Sequence, residues 1–388
     1  MTPINLTKLS RAVVAVLVAA SLAVSATAAD PPEKKKKSGP PPKAQLALLL
    51  DTSNSMDGLI DQAKTQLWAI VGEFTKLELA GQSPDLEVAL YEYGNSGLPG
   101  SKGFIRQVVP LTSDVDKISE ALFALKTNGG DEYCGQVIQV ATSDLEWSKG
   151  PKDLKAIFIA GNEPFTQGQV DYRVACKAAA DRGITISTIH CGDRQEGIDT
   201  AWEDGAKLAD GSYFCINQDH KTYAINAPQD SDLAKLSAEL NTTYLPYGAQ
   251  REEAATRQAA QDMNAAKSAA SAAAARAGFK ASKQYRNSGW DLVDAVAEKR
   301  VNLEELPANE LPEAMRELDA AGRAKYVAEM AKKRADLQAK IRNLSAARDK
   351  YVATERARLA AEAPEDAAAA AAPLADAVIE AVQNQAGP

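Results

Sequence analysis

An Asp and two Ser in alternation, Asp51, Ser53 and Ser55, close an apolar run at Leu46–Leu50 and precede a helical pattern. Three side-chain oxygens spaced by two can point to one side of an extended or tightly turning loop. A hard divalent cation takes such ligands in a near-octahedral shell and keeps some waters. The competing use of these residue types is structural, with Asp51 capping the following helix and the serines solvating a turn. A short apolar run bounded by polar turn residues reads as a buried parallel strand, and open α/β sheets bind ligands at the carboxyl ends of such strands.

The elements that would position these oxygens follow in alternation. Strands are predicted at Leu46–Leu50, Leu86–Tyr93, Phe104–Val109, Leu154–Ala160, Ile184–Ile189 and Ser212–Ile216. Helices are predicted at Asp57–Leu79, Asp114–Lys126, Tyr133–Glu146, Val170–Arg182, Ile198–Ala209 and Asp230–Leu240. Interleaving of this kind implies βαβ units, hence an α/β fold with a doubly wound, mostly parallel sheet. The short Gly-rich connection Gly94–Gly103 suits a hairpin that makes the third strand an antiparallel edge.

Asp-x-Ser-x-Ser after a buried strand, on this element order, resembles a von Willebrand factor type A domain and the first element of its metal-ion-dependent adhesion site. The resemblance implies Mg²⁺, or Mn²⁺ or Ca²⁺, as the ion and a protein as the partner. It implies a second element in a Gly-Gly-Thr turn, where this chain has Gly129-Gly130-Asp131 and so places Asp131 in the threonine's position. It also implies an Asp at the end of the fourth strand, where this chain has Gly161, followed by Asn162 and Glu163. Two outcomes follow: the carboxylate has moved to Asp131 and the metal ligands are Asp51, Ser53, Ser55 and Asp131, or the site has decayed and the metal is lost. In the first case a partner's carboxylate could displace a bound water.

At 388 residues the chain exceeds one typical domain. Lys8 and Arg11 precede an apolar run at Ala12–Ala26 and the small residues Ala26-Thr27-Ala28, the pattern of a secretory signal peptide over residues 1–28. The run is shorter than the roughly 20 residues a spanning helix needs. Without that segment the formal charge of −8 becomes −10, which disfavours nonspecific nucleic-acid binding. Residues 29–43 are Pro-rich and carry Lys34 to Lys37, a solvated spacer or a contact to anionic membrane headgroups. The type A region is then 44–248, in a protein expected to be periplasmic or secreted.

Residues 249–388 are Ala-rich and helical. Helix is predicted at Arg251–Arg276 and at Glu313–Glu362, where Val327, Met330, Leu337, Ile341, Leu344 and Tyr351 fall at three- and four-residue steps with Arg334 and Arg348 in the seam. That pattern suits a helical hairpin, a weak coiled coil that could make an oligomer, or one solvated amphipathic helix. Trp290 and Leu292 read as packing residues, and Ala363–Pro388 as a fraying tail.

Cys134, Cys176, Cys191 and Cys215 are an even set in an exported chain and suggest disulfides, or else small buried hydrophobes. His190 and His220 have no accompanying catalytic motif, phosphate-cradling glycine loops are absent, and Ser53 stands where a haloacid-dehalogenase-type phosphatase would have a second Asp. The expectation is no enzyme but an exported binding or adhesion module. The alternative is an envelope assembly protein in which the helical region acts and the α/β domain is a metal-free scaffold.

Overall fold

Strand β1 (Lys43–Asp51) is apolar on both faces because both faces are covered. Leu46, Leu48 and Leu50 point to one side, and Ala47 and Leu49 to the other, the period of two that a strand imposes. The computed structural model describes residues 39–216, 225–362 and 373–386. The signal-peptide segment, Lys34 to Lys37 and His220 lie outside the described residues.

β1 is central in a six-stranded sheet with β2 (Asp85–Tyr93), β3 (Arg106–Thr112), β4 (Leu154–Gly161), β5 (Thr185–Cys191) and β6 (Tyr213–Ile216), in the order β3-β2-β1-β4-β5-β6. All neighbours are parallel except β2 and β3, so the third strand is the antiparallel edge that its short connection implies. The chain leaves β1 for β2 on one side and reaches β4 on the other. The strand order therefore reverses at the carboxyl end of β1, where Asp51 stands.

One face is covered by α3 (Cys134–Asp144), α4 (Tyr172–Ala180) and α6 (Trp202–Leu208), packed on Leu49, Tyr91, Ile157, Ile159 and Ile186. Short α5 (Arg194–Asp199) precedes α6; Ala201, at φ 72°, breaks the predicted Ile198–Ala209 helix between them. The opposite face begins with α1 (Asp57–Phe74) and α2 (Val115–Ala124). Leu59, Ala63, Leu67, Val71 and Phe74 recur every three to four residues and are buried, which is why α1 lies flat on the sheet. The helix ends at Phe74, short of the predicted Leu79, and the chain then turns through positive φ at Ala80 and Gly81.

The Ala-rich region joins this same face. Together with the sheet it forms a single packed unit. Helices α7 (Asp230–Asn241), α8 (Arg251–Ser268), α9 (Ala270–Lys280), α11 (Ala320–Glu362) and α12 (Leu374–Ala386) share the core of α1 and α2. Extended backbone at Ala269 splits the expected Arg251–Arg276 helix in two. Short α10 (Leu292–Ala297) builds a satellite core with Leu245, Leu311, Met315 and Val327. In that segment Leu292 is buried and Trp290 stacks on Tyr244 at 5.7 Å, as packing residues would.

Two expectations for this region are corrected. Leu337 and Ile341 of the expected seam face the sheet-side core, and Arg334 is buried on Asp291 and Asp294 at 2.7 and 2.9 Å, so these positions face this chain's own core. In the tail expected to fray, Leu374–Ala386 forms α12, which buries Leu374, Ala377, Val378, Ala381 and Val382. Gln62 and Gln66 of α1 accept from its first backbone N–H groups, Leu374 and Ala375, which satisfies donors that a helix start leaves open.

Candidate metal centre

Three loops meet above Asp51. The first, Thr52–Met56, is tied to β2 by the Thr52 N–H donating to the Tyr93 carbonyl at 2.9 Å. The second, 125–133, is laid against the first by the Asn128 N–H on the Thr52 carbonyl, 2.9 Å, and by Asn95 Nδ2 donating to the Lys126 carbonyl, 2.9 Å. The third follows β4 and is held by Trp202 Nε1 donating to the Glu163 carbonyl at 2.9 Å.

Asp51, Ser53 and Ser55 converge. The Ser53 N–H donates to Asp51 Oδ1 at 2.7 Å, and the Ser53 and Ser55 hydroxyl oxygens are 3.1 Å apart. Ser55 Oγ donates to Asn162 Oδ1 at 3.3 Å, which brings an amide oxygen from the third loop to the same cluster. Around a cation with bonds of about 2.1 Å, neighbouring octahedral ligands stand about 3.0 Å apart. The two oxygen–oxygen spacings are close to that edge.

The second loop departs from the sequence expectation. Asp131 is exposed and accepts from the Tyr133 hydroxyl at 3.1 Å, while Thr127 bonds to Asp57. The carboxylate beside Asp51 belongs to Glu132, which is buried and whose backbone N–H is fixed by Gln167 Oε1 at 2.7 Å. A Cβ on Gly94 would stand 2.7 Å from both Asp51 Oδ1 and Glu132 Cγ. Glycine at φ 77° therefore lets the two acids approach each other. The family's threonine position pointed one residue away from the side chain that turns inward.

In the third loop, Gly161 cannot be replaced by the family's Asp without a shift. A Cβ there would lie 2.5 Å from the Tyr93 hydroxyl and 3.1 Å from Asp51 Oδ2. Tyr93 is wholly buried and donates to the Ala160 carbonyl at 3.0 Å.

The electrostatics are unbalanced. Asp51 is fully buried, its Oδ2 has no hydrogen-bond partner, and burial raises its pKa to about 7, with Ser53 pulling it down and Glu163 adding to the rise. Burial raises Glu132 to about 8, helped by the negative charges of Asp51 and Glu163. A buried carboxylate oxygen without a partner is costly, and a cation in the cluster would remove that cost. The residues thus fit a hard divalent ion held by Asp51, Ser53, Ser55 and Glu132, with Asn162 alongside. Among the described residues, no group of three His, Cys, Asp or Glu side chains is placed to hold a metal. Such an ion would rely on hydroxyl and amide oxygens as well as the two acids.

The cysteines form no disulfide; all four are free thiols. Burial raises Cys134, Cys176 and Cys191, and Cys134 sits 3.8 Å from the Tyr93 hydroxyl, so they pack as small apolar groups. His190 is buried against Trp202, and neither ring nitrogen has a hydrogen-bond partner.

The family model for the von Willebrand factor type A domain matches residues 45–202. Among solved structures, conserved hypothetical protein BatB from Bacteroides thetaiotaomicron is 19% identical, over 45% of this chain and 90% of that one, with TM-score 0.34. The SpRpn10 VWA domain is 16% identical over 45% and 88%, with TM-score 0.35. An aerotolerance-related membrane protein from Bacteroides fragilis is 16% identical over 47% and 96%, with TM-score 0.31. No curated protein matches the chain. The sheet order, the antiparallel edge strand and the family match agree: the chain carries a von Willebrand factor type A domain at residues 45–202.

Proposed function

We propose that this is an exported protein-binding module whose type A domain engages a partner through a divalent-cation centre formed by Asp51, Ser53, Ser55 and Glu132. The observation that carries the reading is the fully buried Asp51 carboxylate with one oxygen unpartnered. When bound, the ion supplies a positive centre with an exchangeable ligand position. The chain's own residues bring three loops to that point and expose Ser55 at its mouth. Export rests on the sequence pattern of residues 1–28; no helix of the described residues is long and apolar enough to cross a membrane.

Calorimetric titration of the full mature chain with Mg²⁺, Mn²⁺ and Ca²⁺ tests this. Binding in the micromolar to millimolar range is expected, with loss in Asp51→Ala and retention of the fold by circular dichroism. No heat up to millimolar ion would refute the reading.

A second reading has one observation in its favour. Beyond Leu344, α11 runs to Glu362 with Tyr351 and Leu359 exposed, a surface through which the helical region would act if this chain is a structural or assembly protein of the envelope and its type A domain a metal-free scaffold. Partner capture that survives chelator and requires Tyr351 and Leu359 would favour it.

A further inference from the structure

We infer that Glu132 and Asn162 complete the cation shell in place of a fourth-strand aspartate, and that the resulting centre accepts an amide oxygen of its partner and refuses a carboxylate. This rests on the cation reading above and names the partner chemistry of the same site.

Three loops supply the donor set. Asp51 and Glu132 share the space that Gly94 leaves open, Ser53 and Ser55 lie 3.1 Å apart, and Asn162 Oδ1 lies 3.3 Å from Ser55 Oγ. Tyr93 occupies the place of a side chain at position 161, so no third carboxylate can enter from the end of β4. Five side-chain groups leave about one position of a six-ligand shell open.

Charge then decides what fills it. Two carboxylates in the shell cancel a divalent ion, and the field of Glu163, half-buried on the third loop, reaches both acids. Asp57, at the start of α1, and Asp131, on the second loop, are exposed. An incoming carboxylate would meet an ion already neutralised by two acids and, beside it, the negative charge of Glu163, and like charges repel. An amide oxygen carries a dipole without the repulsion, and so suits a partner's backbone carbonyl or an Asn or Gln side chain.

The test uses the full mature chain loaded with Mn²⁺, read by water-proton relaxation, with acetate and acetamide as probes. Acetamide is expected to displace Mn²⁺-bound water while acetate leaves the signal unchanged. Glu132→Gln combined with Glu163→Gln should reverse that preference, and Glu163→Gln alone, at a half-buried position, should shift it part of the way. Asn162→Ala should weaken Mn²⁺ binding roughly tenfold or more. Displacement of water by acetate in the unmodified protein would overturn the inference while leaving the cation reading intact. So would a double variant that gains no response to acetate yet keeps its fold and its Mn²⁺. Failure of the unmodified chain to bind Mn²⁺ at all would overturn both.

Discussion

Arg276 Nη1 of α9 lies 2.6 Å from Asp116 Oδ1 of α2, and both side chains are almost wholly buried. The pair joins the Ala-rich region to the α/β domain. The guanidinium also lies over the Trp68 ring of α1, 4.4 Å from its centroid, and donates to the Gln258 carbonyl at 3.0 Å. The Tyr285 hydroxyl donates to the other Asp116 oxygen at 2.7 Å. Removing one member of a buried pair leaves the other charge uncompensated, at about 3–5 kcal/mol. Arg276→Ala should therefore lower the unfolding free energy from urea titration by about that much, with Asp116→Asn in the same molecule recovering part of it. A change under about 1 kcal/mol would show that the pair does not hold the two regions together.

A chain ending at Gln250 should not fold as an independent domain. Trp68, Leu67 and Phe74 of α1 are buried in a core that includes Phe279 of α9 and Val378 of α12, and truncation would return that surface to water. Burial of one such side chain contributes about 1.5–3 kcal/mol, so losing several exceeds a typical domain's stability. The truncated protein is expected to bind a hydrophobic dye and to melt without a cooperative transition. A sharp transition near that of the full chain would overturn this.

Tyr93 and Gly161 compete for one volume. Gly161→Asp, which restores the family's residue, should destabilise the protein by about 1–3 kcal/mol through overpacking. Adding Tyr93→Phe removes the hydroxyl that lies 2.5 Å from the new Cβ and should return part of the loss. A Gly161→Asp protein as stable as the parent would mean that the tyrosine yields freely.

Much of this was legible in the sequence because apolar runs of five to eight residues, bounded by turn residues, admit few structures. β2, β4 and β5 lie within two residues of their predicted bounds at either end, and β1 begins three residues before its predicted start. The Asp51-Ser53-Ser55 cluster was legible for the same local reason, since three alternating side chains share a side. Glu132 was not, because the direction of a side chain in a glycine-rich loop is set by distant hydrogen bonds. Here these run from Asn128 to Thr52 and from Glu132 to Gln167. The docking of α12 was equally hidden: Leu374, Val378 and Val382 state which side of the helix is apolar but not what covers it.

The raised Asp51 and Glu132 pKa values fix the sign of a pH dependence. In the metal-free protein these carboxyls stay protonated up to about 7 and about 8, whereas in the unfolded chain they ionise near 4. Between those limits the folded state binds more protons, so its stability falls as pH rises from about 4 to 8. A divalent ion needs both groups ionised, so it must displace protons below pH 8. The metal-free chain should melt higher at pH 5 than at pH 8, and added Mg²⁺ or Mn²⁺ should raise the midpoint at pH 8 but hardly at pH 5. Calorimetry at pH 7 in two buffers of different ionisation enthalpy should register proton release on binding. Affinity that stays constant from pH 6 to 8 would show that the ion does not contact these two acids.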